Sequence, residues 1–240
     1  MRTEPACLRN GSTSRVGISV VLPVLNEAAA LPDTLAQLTA VTQLCEVLVV
    51  DGGSTDGTAD VARAHGCTVL DSPPGRGNQL RCGAEAACGE VILLLHADTW
   101  LPPEAGAAVV RALQDERVVG GGFWKEFRDA PPLLRGAKLK CALRLWCGGR
   151  ISGDQGIFVR REALAAIGGV PPLPLMEEFE LCRRLRRVGR LVLADATVTT
   201  SARRFIRHGV LRTYARMLRV TLLYHAGVPP ARLRVIYESD

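Results

Sequence analysis

Five apolar residues in succession, Val91-Ile92-Leu93-Leu94-Leu95, followed at once by His96-Ala97-Asp98, constrain this chain more than any other stretch. An unbroken apolar run suits a strand covered on both faces, as in the middle of a parallel sheet; a half-exposed strand would alternate. Where the run ends, His96 and Asp98 stand as two potential metal ligands. The carboxyl ends of strands are where an open α/β sheet presents its ligand sites. A carboxylate there can hold a hard divalent cation, and the cation a diphosphate. In isolation Asp98 reads better as the cap of a helix beginning near Pro102.

The residues upstream shift the balance. Ile18-Ser19-Val20-Val21-Leu22-Pro23 is a β-branched strand closed by proline and followed by Asn26-Glu27. Leu31, Leu35, Leu38 and Val41 then repeat at helical spacing, with Pro32 and Asp33 in the first turn. Glu46 to Val50 predicts a second buried strand, ending in Asp51-Gly52-Gly53-Ser54-Thr55-Asp56-Gly57-Thr58. In that loop the glycines allow a tight turn and Ser54 or Thr55 can cap a short helix reaching Gly66. A third strand over 67–70 leads through Pro73-Pro74-Gly75-Arg76-Gly77-Asn78-Gln79 into a helix ending near Ala87. This alternation of strand and helix predicts a doubly wound, Rossmann-like, mostly parallel sheet with helices on both faces.

The second half has a different character. A helix over 103–113 precedes the glycine-rich strand 118–127, and 133–146 is helical in pattern but studded with Arg135, Lys138, Lys140 and Arg144. Gly153-Asp154-Gln155-Gly156 reads as a loop entering a strand, residues 161–168 as a short helix, and 171–174 as a rigid linker into the charged helix that begins Met176-Glu177-Glu178. A hairpin-like pair of strands is expected over 191–200, then Arg203-Arg204. The last expected helix, 209–226, sets Leu211, Ala215, Leu218 and Leu222 on one face and Arg212, Arg216 and Arg219 beside it.

A chain of 240 residues with 48% hydrophobic content is long enough for one α/β domain with a sizeable core. Its net charge of +6, mostly arginine, points to an anionic partner without choosing among nucleic acid, phosphorylated metabolites and lipid headgroups. Nucleic acid is disfavoured, because aromatics make up only 5% and do not interleave with the basic residues as a base-stacking surface requires. The eight cysteines form no CxxC pair, so buried reduced thiols in a cytosolic protein are expected. No stretch reaches membrane-spanning length. The expected location is therefore the cytoplasm, extending to the inner face of the cell membrane if the basic helix 209–226 rests on anionic lipid. A dinucleotide oxidoreductase would need GxGxxG directly after the first strand, where Pro23 to Glu27 stands instead.

Asn26-Glu27, Asp51 to Asp56 and His96 to Asp98 close three strands of the first half; in a parallel sheet they share one edge and form a crevice for a nucleotide. With these motifs in this order the sequence resembles the family 2 glycosyltransferases of the GT-A fold. The matching elements are Pro23-x-x-Asn26-Glu27, Val50-Asp51-Gly52-Gly53-Ser54-Thr55-Asp56-Gly57-Thr58, Gly75-Arg76-Gly77-x-Gln79 and His96-Ala97-Asp98. Gly153-Asp154-Gln155-Gly156, Met176-Glu177-Glu178 and Ser201-x-Arg203-Arg204 look most like the branch associated with radical-SAM and selenodomain proteins. The similarity runs from about Ile18 to the region of Tyr214.

The resemblance implies an inverting transfer of sugar from a nucleotide sugar, a UDP-sugar by preference, to a hydroxyl of a small or lipid-like acceptor. It implies donor contacts from Pro23, Asn26, Glu27, Asp51, Gly53, Ser54, Arg76, Gln79, Ala97 and Asp98, with Pro23, Glu27 and Asp51 toward uracil and ribose. Asp98, with His96, would coordinate Mg or Mn; Glu178, or Glu177 beside it, would be the base, with Asp154 among the catalytic residues. Gly153, Gln155, Arg203 and Arg204 would face the acceptor, although Arg203 and Arg204 also suit a diphosphate or surface ion pairs. Such chemistry makes physical sense: a departing diphosphate develops negative charge that cations stabilise, and a hydroxyl attacks well only when a carboxylate takes its proton. The chain departs from the family pattern at Gly52, at His96 and at Glu178, where acidic residues, the last of them a shorter aspartate, are common. A nucleotidyltransferase and a non-catalytic nucleotide-sugar binder are the alternatives. The expected layout is a leader over 1–16, one domain over 17–226 divided near 100 and 205 into nucleotide-sugar half, acceptor half and terminal helix, and a tail over 227–240.

Overall fold

The computed structural model describes residues 16–239, so the expected leader falls almost wholly outside the described residues. The first half alternates as the sequence predicts: β1 (Ile18–Val24), α1 (Leu31–Leu38), β2 (Leu44–Asp51), α2 (Thr58–Ala64), β3 (Thr68–Asp71), α3 (Arg76–Ala86) and β4 (Val91–Leu94). There follow β5 (Thr99–Trp100), α4 (Ala105–Ala112), β6 (Val118–Arg128), α5 (Ala137–Gly148), β7 (Ile157–Arg160), α6 (Arg161–Ala166), α7 (Glu177–Leu185), β8 (Arg190–Ser201), α8 (Arg203–His208), α9 (Val210–His225) and α10 (Pro230–Ser239).

Among the described residues, all eight strands join one sheet in the order β3-β2-β1-β4-β7-β6-β8-β5. The block β3-β2-β1-β4 is parallel throughout, whereas β7 runs antiparallel to both β4 and β6, and β8 runs parallel to β6. The apolar runs divide between two cores because successive side chains leave a strand on opposite faces. Val91, Leu93 and Leu95 pack with Val20, Leu22 and α1 on one side. Ile92 and Leu94 pack with Val21, Leu48, Val50 and α3 on the other. The centre of the sheet is thus dry on both faces, and its polar residues are left to the strand ends.

Two expectations need correction. The stretch 191–200 is not a hairpin but one continuous strand, β8, parallel to β6; the register passes from Phe123↔Ala194 to Trp124↔Thr197, so Asp195 and Ala196 bulge out of the ladder. That bulge reproduces the break in pattern that suggested a turn. The helix read over 209–226 is also not the last, since the stretch taken as a tail carries α10, with Leu233 fully buried against Met176 and Val220. Leu211, Leu218 and Leu222 of α9 stay 60–71% exposed, and the helix packs through Thr213 and Val220 instead.

Candidate active site

The tips of β1, β2 and β4 lie on one edge of the sheet, and a polar lattice ties them together. Asn26 adopts a left-handed backbone conformation (φ 55°), which turns the chain after β1 toward the loop after β2. Its amide donates to Ser54 Oγ (2.9 Å), while its side-chain oxygen accepts from the Thr55 amide (2.9 Å). The Glu27 amide donates to Thr58 Oγ1 (2.9 Å), and the Ala28 amide to Asp56 Oδ2 (3.1 Å). Asp51 accepts from both the amide and the hydroxyl of Ser54. Ser54 thus holds Asp51 rather than capping α2, which starts after Gly57. From α3, the buried Gln79 amide donates to the carbonyls of Val24 (2.7 Å) and Val50 (2.9 Å), clamping the two strand ends at a fixed spacing. The hydroxyl of Thr34 on α1 fixes the turn after β4 by donating to the Ala97 carbonyl.

Above these tips opens a cleft of about 900 Å³, walled by Pro23 to Glu27, Gly75-Arg76, Gln79 and His96 to Asp98 on the sheet side. The start of α8 and the carboxyl-terminal helices supply the other wall, with Ser201, Arg203, Arg204, Arg207, His208 and Arg234. Arginine therefore dominates a cleft whose carboxylates are Glu27 and Asp98, a charge balance suited to phosphate oxygens. Arg203 already bridges the two acids, donating to Glu27 Oε1 at 2.5 Å and lying 3.3 Å from Asp98 Oδ2. Burial raises the Asp98 pKa in spite of Arg203. The other oxygen of Asp98, Oδ1, faces His96 Nδ1 at 4.0 Å.

At the deep end Arg76, first residue of α3, reaches the acidic start of α7, with Nη1 2.9 Å from Glu177 Oε1 and 3.8 Å from Glu178 Oε2. Gly77 makes this approach possible, because a Cβ there would lie 2.3 Å from the Leu173 carbonyl oxygen. Gly153 lies against the same spot: a Cβ on it would stand 2.0 Å from Arg76 Nη2 and 2.7 Å from His96 Nε2. Its neighbour Asp154 pairs with the buried Lys125 (2.6 Å). Burial opposes the Asp154 charge, but Lys125 outweighs it and holds the carboxyl below the usual range. Burial, reinforced by the Glu178 carboxylate, pushes Glu177 up against the pull of Arg76. Burial and then Arg76 push His96 down, so its imidazole is neutral. Arg76 Nε, His96 Nε2 and Asp154 Oδ1 are buried without a hydrogen-bond partner, and Glu177 Oε1 is met only by its ion pair with Arg76. Three unpartnered groups so close together are costly unless a ligand satisfies them.

Of the residues singled out in the sequence, Pro23, Asn26, Glu27, Arg76, Gln79, His96, Ala97, Asp98, Arg203 and Arg204 share the cleft wall. Asp51, Gly53 and Ser54 do not; the Asp51 carboxylate is turned into its own loop. Glu177, Glu178, Asp154 and Gly153 join the site from below through Arg76 and His96. Gln155 is fully buried, donating to the Phe123 carbonyl and accepting from Arg144 and the Ser152 amide, so it braces the floor instead of facing an acceptor. Residue-by-residue reasoning missed Lys125, Thr34, Arg207, His208 and Arg234. Only Lys125 left a signal, as a lysine inside an apolar strand.

A mixed, mostly parallel sheet with an arginine-lined cleft and a carboxylate at the strand tips defines a GT-A-type nucleotide-sugar fold. Residues 19–163 match the family model described as Glycosyl transferase family 2. The chain belongs to that family. Among curated relatives, an uncharacterised glycosyltransferase of Mycobacterium tuberculosis is 43% identical over 82 residues, 34% of this chain and 36% of the relative. The undecaprenyl-phosphate 4-deoxy-4-formamido-L-arabinose transferase of an Enterobacter species is 30% identical over 155 residues, 60% of this chain and 47% of the relative. The matched stretches thus span between about a third and a half of these relatives' length. Among solved structures, a mannosyltransferase of Pyrobaculum calidifontis in complex with GDP-mannose and Mn2+ has the same fold (TM-score 0.63, 23% identity, 94% of this chain and 69% of that one). Glucosyl-3-phosphoglycerate synthase of M. tuberculosis, with Mg2+ and UDP, aligns at TM-score 0.56 and 26% identity over 77% of this chain and 69% of that one.

Proposed function

We propose that this chain is an inverting glycosyltransferase that moves a sugar from a UDP-sugar to a hydroxyl of a small or lipid-like acceptor. The observation that carries the proposal is the convergence of Asp98, Arg203 and Arg76 on a single cleft, with Arg76 reaching behind it to Glu177. The diphosphate would lie among Arg76, Arg203 and Arg204, whose fixed charges match the negative charge that grows as the bond from anomeric carbon to phosphate oxygen breaks. Glu178 would take the acceptor proton, a choice supported by its 18% side-chain exposure against 4% for Glu177. The acceptor oxygen bonds to the anomeric carbon as the diphosphate leaves with the electron pair on the opposite side, which inverts the configuration. Glu177 would position Arg76.

Asp98 and His96 would hold Mg2+ or Mn2+. Their donors fit: Oδ1 and Nδ1 face each other at 4.0 Å, and the imidazole is neutral, with a lone pair to give. When bound, such an ion supplies further charge neutralisation on the leaving diphosphate. The 26% identical synthase, solved with Mg2+ and UDP, supports both the cation and the uridine donor. The undecaprenyl-phosphate transferase supports a lipid-like acceptor, as does α9, whose exposed Leu211, Leu218 and Leu222 lie beside the exposed Arg212 and Arg219 in the manner of a helix that rests on anionic lipid. No helix among the described residues is long and apolar enough to cross a membrane.

A thermal-shift series with UDP, GDP and ADP, each with and without Mn2+, tests the donor assignment. At a hundred times its dissociation constant a ligand adds about 2.7 kcal/mol. The expected result is a metal-dependent shift with UDP that disappears in Asp98→Ala. A shift confined to another nucleotide, or one indifferent to Asp98, overturns the donor assignment or the metal assignment respectively.

A further inference from the structure

On the edge of the sheet opposite the cleft, the beginnings of β1 and β2 meet the loop between α3 and β4. There the Sγ atoms of Cys45 and Cys88 and a carboxylate oxygen of Glu46 all lie within 4.8 Å of one another. The backbone makes this convergence. Consecutive strand residues ordinarily point to opposite faces, which would separate Cys45 from Glu46. The β1–β2 register passes from Ile18↔Leu44 to Ser19↔Glu46, leaving Cys45 as the extra residue of a bulge. A bulge of this kind re-aims its side chains, and here it lets neighbours in sequence share one point.

The carboxylate is held for this position. Ser19 Oγ donates to Glu46 Oε1 at 2.5 Å and the Cys88 amide donates to the same atom at 2.7 Å. The Gly89 amide in turn donates to Ser19 Oγ at 2.8 Å, so the α3–β4 loop is tied to both strands through one small network. Among the described residues both hydrogen bonds to Glu46 fall on Oε1, so its second oxygen can turn to an ion.

We propose that Cys45, Glu46 and Cys88 bind a borderline-soft divalent cation of the zinc class. Two thiolates and one carboxylate are a donor set that zinc accepts, with water as the fourth ligand, whereas Mg2+ and Mn2+ prefer all-oxygen or oxygen-rich surroundings. Each thiol releases its proton to solvent on binding, so uptake is accompanied by proton release and strengthens as pH rises. Because the ligands come from β2 and from the loop before β4, with β1 between them, the ion would staple three strands of the parallel block at the end away from the cleft. The site is independent of the proposed transferase reaction.

The test is a Co2+ titration of the full chain, kept under a non-thiol reductant, with Asp98→Ala as background so that the cleft site does not contribute. The expected result is one equivalent of Co2+ taken up with a thiolate-to-cobalt charge-transfer absorption and tetrahedral ligand-field bands, both bleached by Zn2+. Cys45→Ser and Cys88→Ser should each abolish the charge-transfer band, while Cys67→Ser and Cys82→Ser retain it. Circular dichroism and melting of the metal-free variants establish that each is folded. Absence of the charge-transfer band from the folded parent, or its survival when Cys45 and Cys88 are both replaced, overturns the proposal.

Discussion

Arg203 lies between two carboxylates, hydrogen-bonded to Glu27 Oε1 at 2.5 Å and 3.3 Å from Asp98 Oδ2. The guanidinium is about half exposed, so the contact is screened and worth on the order of 1 kcal/mol or less. It nevertheless ties the start of α8 to the tips of β1 and β4 and places a fixed positive charge where a diphosphate would lie. Replacing it has two opposed effects. Arg203→Gln removes a cation that competes for Asp98, so Mn2+ should bind the nucleotide-free protein roughly three- to tenfold more tightly, while UDP binding in saturating Mn2+ weakens by about tenfold. Calorimetric titration of each ligand measures both, and unchanged Mn2+ affinity would refute the competition.

The Lys125–Asp154 pair lies deeper, with the lysine side chain only 6% exposed. Removing one partner of a buried pair leaves an uncompensated charge and costs about 3–5 kcal/mol. Lys125→Met should lower the urea midpoint accordingly. Lys125→Met combined with Asp154→Asn should recover much of the loss, since neither charge then remains. A double variant as unstable as the single one would show that the lysine stem, not its charge, matters here.

The centre of the first half was legible because β1, β4 and the end of β2 are buried on both faces and so carry continuous apolar runs, as in Val91 to Leu95. The edge that gathers Asn26, Glu27, His96 and Asp98 followed from parallel pairing alone. Asp51 was placed on the correct loop, but Ser54 turns its carboxylate inward through hydrogen bonds that side-chain type does not reveal. Gln155 failed similarly, its amide being consumed by Phe123, Arg144 and Ser152, contacts between distant segments that no local pattern records. Arg234 was invisible because α10 reaches the cleft only through tertiary packing of Leu233 on Met176 and Val220.

Glu180, on α7 beside the acidic motif, receives Arg183 at 2.7 Å and Arg184 at 2.8 Å. The hydrogen bond from Arg183, helped by Arg184, holds its pKa down at about 2 against burial, below the ordinary 4.5. A carboxyl depressed in the folded state contributes stability that is complete above its unfolded pKa and is lost as pH falls toward the folded one. The melting temperature of the native chain should therefore drop more steeply than that of Glu180→Gln between about pH 4.5 and pH 2. Above pH 6 the two slopes should coincide. Parallel curves across the acid range would remove Glu180 from the acid sensitivity of α7.

The acidic motif offers two carboxylates for one base, and their surroundings separate them. Glu177 is 4% exposed and hydrogen-bond distance from Arg76, while Glu178 is 18% exposed and 3.8 Å away. Burial and the neighbouring Glu178 raise the Glu177 pKa, and its burial and 2.9 Å contact with Arg76 suit it to position that guanidinium. Replacement of a general base costs about 10²–10⁴-fold in rate. Glu178→Gln should therefore lower kcat by about that factor and leave the UDP-induced thermal shift intact. Glu177→Gln should act chiefly through Arg76, raising the donor KM several-fold with a smaller change in kcat. If the kcat loss falls on Glu177→Gln and the donor effect on Glu178→Gln, the two roles are exchanged, and the buried carboxylate must become accessible when the acceptor binds.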